Sequence, residues 1–134
     1  MNVNLLPVRW PYVAEFLDLI EKFGADGVRF GMLSCAAAGN DLLFDDKLCE
    51  QGSKFSNKMW NALRLIKGWE VVEKNPNATS QILNDFAIDW MNNKLQQELA
   101  NLEESVQSFR LSDGLMNLYN FMWNDFFAWY LEMV

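Results

Sequence analysis

The chain has 134 residues, 51% of them hydrophobic, and carries a formal net charge of -7 with no histidine at all. That length fits one domain with a real core, and so apolar a composition excludes a disordered tail. The missing histidine excludes Ser-His-Asp and Cys-His catalysis and haem ligation by histidine, and with only Cys35 and Cys49, not in C-x-x-C spacing, no metal site is expected.

After a start containing Pro7 and Pro11, a first helix is predicted from about Tyr12 to Phe23, stopping at Gly24. A second, "ADGVRFGMLSCAAA", stops at the Gly39-Asn40 turn, and the seven glycines fall mostly near the ends of such segments. Asp45 is the expected N-cap of a third helix running to about Trp69, and Pro76 marks the next break. "NAT" at 77 to 79 is read as a helix-start turn rather than a glycosylation site. A long fourth helix spans about Thr79 to Phe109, with Ile88, Met91, Leu95, Leu99, Leu102, Val106 and Phe109 in one apolar seam. The last helix starts near Ser112 and is apolar almost all round, apart from a stripe of Asp113, Asn117, Asn120 and Asn124. No period-two strand pattern occurs, so the expected fold is all-α, an up-and-down bundle of about five helices with short loops. No apolar run approaches the ~18 residues of a membrane span, and two unpaired thiols fit a reducing, cytoplasmic setting.

Adjacent carboxylates at Asp45-Asp46 and Glu103-Glu104 diverge by about 100° on a helix, so neither pair converges on a substrate. They read as a helix start and a solvated face, and no catalytic residue is expected. The informative segment is "NKMWNALRLIKGW", residues 57 to 69. Between positions 47 and 74 lie Lys47, Lys54, Lys58, Arg64, Lys67 and Lys74 against only Glu50, Glu70 and Glu73, a net +3, while the remainder is -10. On this helix Phe55, Met59, Ala62, Leu63 and Ile66 share the expected core face, and Lys54, Asn57, Lys58, Asn61, Arg64 and Lys67 lie opposite, with Trp60 among them. An aromatic among cations suits a single-stranded nucleic acid, whose bases stack while the cations hold phosphates. The same pattern also arises when Lys and Arg stems lie along a tryptophan for packing, or when another helix covers the ring. The acidic remainder argues against sliding on DNA, which needs many phosphate contacts.

"FGADGVRFGMLSCAAAGNDLLFDD" (23 to 46), "NKMWNALRL" (57 to 65), "LNDFAIDWMNNKL" (83 to 95) and "MWNDFFAWYLEM" (122 to 133) resemble, in order, the region after the catalytic domain in valyl-tRNA synthetases, class I aminoacyl-tRNA synthetases. The resemblance covers about residues 17 to 134. It implies a connecting, stem-contacting helical region at 17–44 and a helical anticodon-binding bundle at 45–134, cut short at its C-terminus, after an unaligned segment 1–16. The partner it implies is the anticodon stem-loop of a valine-specific tRNA, met by Lys54, Lys58, Trp60, Asn61, Arg64 and Lys67 and by the polar stripe of the last helix. The family's His-x-Gly-His and Lys-Met-Ser-Lys-Ser signatures are absent, so the chain is expected to be inactive alone, with ATP and valine binding to a catalytic domain it lacks. Leu65 stands where the family commonly has an aromatic, Phe127 where Cys is usual and Ala128 where Asp or another small polar residue is typical; if the family's aromatic stacks on an anticodon base, Trp60 or Trp69 would take over that stacking. A second reading is a helical interaction bundle that self-associates through apolar surface such as Trp123, Trp129 and Tyr130, with no RNA role.

Overall fold

The computed structural model describes residues 10–36, 44–70 and 79–134, and all of its regular structure is helical. Helix α1 covers Trp10–Cys35, α2 Asp46–Lys67, α3 Thr79–Gln107 and α4 Leu111–Asn120; a π-helical segment, Phe121–Tyr130, and a last turn α5, Leu131–Met133, continue α4. Among the described residues the architecture is the all-α bundle expected, and it has five rods because α1 is broken in two. The predicted Gly39-Asn40 turn, the Pro76 break and Lys74 lie outside the described residues.

The break in α1 is Gly24, at φ 76° and ψ 159°, a conformation that a residue with a Cβ resists. It reverses the chain, so that Phe16 and Ile20 of the first arm line the same open apolar groove as Val28, Met32 and Leu33 of the second. The second arm packs on α2 through glycine. A Cβ on Gly52 would lie 2.5 Å from Cβ of Phe30, and one on Gly31 would lie 2.7 Å from Sγ of Cys49. Gly27, Gly31, Gly52 and Gly114 therefore sit inside helices at points of close approach, not at the helix ends where the sequence pattern placed most glycines. Cys49 is fully buried in this crossing, and burial, followed by the nearby Asp46 carboxylate, pushes its thiol pKa above the ordinary value.

Asp45 caps α2 as predicted, its Oδ1 accepting the Lys47 backbone N–H at 2.9 Å. The core gathers Phe30 of α1, Phe55 and Ala62 of α2, and Phe127 of the π-helical segment, with Leu115, Tyr119, Met122, Phe126 and Leu131 around them. Phe30 and Phe55 meet at 5.9 Å and Phe55 and Tyr119 at 5.0 Å between ring centroids. One core thus joins residues on both sides of position 44.

Helix α3 departs from its pattern. Of the seam residues only Met91 is buried and Leu102 half-buried; Ile88, Leu95, Leu99, Val106 and Phe109 are exposed. The reason is placement: α3 packs chiefly on α4 and its continuation, and side chains beyond their reach stay at the surface. The helix also stops at Gln107 rather than Phe109. Lys94 of α3 reaches Asp125 of the π-helical segment at 3.4 Å and ties the two together. No described helix is long and apolar enough to cross a membrane.

Candidate nucleic-acid interface

Helix α2 sorts its side chains by the 100° step of an α-helix. Phe55 and Ala62 are buried and Ile66 is half-buried on the core side. Lys54, Asn57, Trp60, Asn61, Arg64 and Lys67 are exposed, and by that step they occupy one broad arc away from the core. Met59 and Leu63, expected in the core, are instead 40% and 45% exposed. Tertiary placement explains the correction. Gly27 lies against Ser53, the chain reverses at Gly24, and the first arm of α1 runs back so that Leu19 and Lys22 share a depression with Phe44 and Asp46. The second half of α2 therefore extends past its cover.

Each residue predicted for RNA contact has a definite place. Trp60 is 61% exposed. No other helix covers it among the described residues, and none of its neighbouring cations stacks on its ring. Asn61, Arg64 and Lys67 are exposed beside it, and the two cations make no ion pair among the described residues. Lys54 pairs with Glu50 at 2.7 Å, and that hydrogen bond, with the charge of Lys54 behind it, holds the Glu50 carboxyl below the usual carboxylate range. Lys58 is different: its Nζ lies 3.8 Å from the centre of the Trp123 ring and 4.9 Å from that of Phe127. It faces the last helix rather than the arc of Trp60. Leu65 is 52% exposed, and Trp69, the other candidate for base stacking, follows the Gly68 cap and is 42% exposed.

A second rim faces Lys58. Tyr119 and Trp123 stack at 5.6 Å with their planes 19° apart, and they border a shallow depression with Lys47, Gln51 and Lys54. The wider turn of the π-helical segment keeps Trp123 and Phe127 in register with Tyr119, all three toward α2. Asn117, Asn120 and Asn124 are exposed on the side of this column away from Met122 and Phe126, which pack on the core. The predicted polar stripe is thus at the surface next to Trp123. Sequence reasoning did not find the Lys58–Trp123 contact; its trace was the spacing of four between Tyr119, Trp123 and Phe127. The described residues bring no His, Cys, Asp and Glu together as a metal site.

The match to a known family falls on the C-terminal part of the bundle, outside α2. Residues 89–134 match the family described as the anticodon-binding domain of tRNA ligase. Over 118 residues the chain is 48% identical to the valine–tRNA ligases of Christiangramia forsetii and Phocaeicola vulgatus, and over 119 residues it is 32% identical to that of Clostridium tetani. The first two alignments cover 88% of this chain, which spans 13% of the length of each relative. No solved structure matches. The chain therefore belongs to the valine–tRNA ligase family, and its residues 89–134 carry the helical anticodon-binding domain match.

Proposed function

We propose that this chain binds the anticodon stem-loop of a valine-specific tRNA through the exposed arc of α2 and the adjoining asparagine stripe of the last helix. The observation that carries the reading is Trp60, 61% exposed between Asn57, Asn61, Arg64 and Lys67, in a chain whose relatives are valine–tRNA ligases. Arg64 and Lys67 hold phosphates, Trp60 stacks on a base and Asn61 hydrogen-bonds to a base edge. Lys54, engaged with Glu50, and Lys58, engaged with Trp123, stand at the flank of the contact. Aminoacylation, with ATP and valine as ligands, belongs in this reading to the rest of the enzyme, and this segment holds no cofactor.

Titration of a labelled anticodon stem-loop of tRNA-Val at two salt concentrations tests the reading. Each phosphate contact contributes roughly 0.7 to 0.9 to the slope of log affinity against log salt. Arg64→Ala with Lys67→Ala should weaken binding and lower that slope by about two such contacts. Binding that is undetectable, or unchanged by the pair, would overturn the assignment.

The exposed seam of α3, with Leu99 and Val106 about half uncovered, supports a second reading in which copies of the chain associate. Light scattering across a concentration series decides it: a strict monomer at all concentrations removes it.

A further inference from the structure

Resting on the tRNA reading, we infer that the groove beside Trp60 is a pocket for one unstacked nucleobase, and that Asp26 selects a base carrying an exocyclic amino group over uracil. The groove lies where the second half of α2 outruns α1. Its floor is the buried pair Phe30 and Phe55, and its walls are Met59, Leu63 and Trp60; its volume is about 440 Å³. The polar residues that line it are Asp26 of α1 and Ser56 of α2.

This chemistry is asymmetric in a way that names its occupant. Flat aromatic and thioether walls take a planar ring. Lys67 follows Trp60 and Leu63 along the same side of α2, and Arg64 lies one turn beyond Trp60, so cations stand at the rim where the phosphate of a nucleotide would lie. A carboxylate accepts hydrogen bonds and donates none. Asp26 already accepts one from Arg29 Nη1 at 2.9 Å, and the remaining lone pairs of its two oxygens leave acceptor capacity free. An amino group of cytosine, adenine or guanine satisfies that capacity, as carboxylates do with cytosine N4 in groove readout. Uracil places the carbonyl oxygen O4 where cytosine has its N4 amino group, so a carboxylate at that position meets a like partial charge, and the one donor of that edge, N3–H, is flanked by O4 and O2.

The test uses the full chain and short single-stranded RNAs, oligo-C and oligo-U of equal length, in fluorescence anisotropy titrations. The wild type should prefer oligo-C by about tenfold or more, the discrimination of one good base contact. Asp26→Asn keeps the shape and brings a donor of its own, so it should abolish the preference and leave the salt slope unchanged. Trp60→Ala should weaken both oligomers about tenfold, since stacking tolerates any base. Circular dichroism melts of each variant confirm that the bundle is intact. Equal binding of the two oligomers by the wild type, or a cytosine preference that survives Asp26→Asn, would overturn the pocket. If binding depends on Arg64, Lys67 and Trp60 but shows no base preference, the selective pocket fails and the tRNA reading stands; if the tRNA-Val stem-loop also fails to bind, both fail.

Discussion

Phe109 carries a left-handed backbone at φ 59°, the only such non-glycine among the described residues. It closes α3 as glycine usually does: the Arg110 N–H donates to the Ser105 carbonyl at 2.8 Å and the Phe109 N–H to the Val106 carbonyl at 3.1 Å. Its ring is 83% exposed, so the side chain returns little for the strain. Phe109→Gly should raise stability by up to about 1 kcal/mol, read as a higher urea midpoint with unchanged slope. A lower midpoint would mean that the ring makes a contact worth more than the strain. The same residue shows what periodicity leaves out. Phe109 completes the three-and-four spacing of the seam, and only the backbone reveals that the helix has already ended at Gln107.

Among elements, the crossing of α1 on α2 is the tightest contact and depends on having no side chain at three positions. A Cβ on Gly52 would sit 2.8 Å from Cγ of Phe30 as well as 2.5 Å from its Cβ, and Phe30 is held from the other side by Tyr119 at 5.8 Å between centroids. Gly52→Ala should therefore destabilise the bundle by about 1 to 3 kcal/mol despite the better helix propensity of alanine, measured by thermal unfolding. A neutral or stabilising result would show that Phe30 can move aside. Element existence was legible in the sequence, down to the Gly24 break and the Asp45 cap, because propensity, capping and apolar spacing are local properties. The π-helical form of Phe121–Tyr130 was not, since its composition suits an α-helix equally well.

Across the whole molecule, the cation–π contact of Lys58 with Trp123 joins α2 to the last helix at the edge of the candidate interface. Lys58→Met keeps the length of the stem and removes the charge, and should cost about 0.5 to 2 kcal/mol of stability. In the tRNA reading it should change the salt slope of RNA binding far less than Arg64→Ala, because its ammonium faces Trp123; an equal loss of slope would return Lys58 to the phosphate contacts. The sequence alone determined that the chain is helical, that its positive charge is concentrated in one helix of an acidic molecule, and which family it resembles, because composition, periodicity and motif order need no partner to be read. Tertiary structure decided the rest. It uncovered Met59, Leu63 and most of the α3 seam, turned Lys58 onto Trp123, and set Asp26 beside Trp60, because burial depends on where neighbouring helices stop, and the pattern of a single helix carries no record of that.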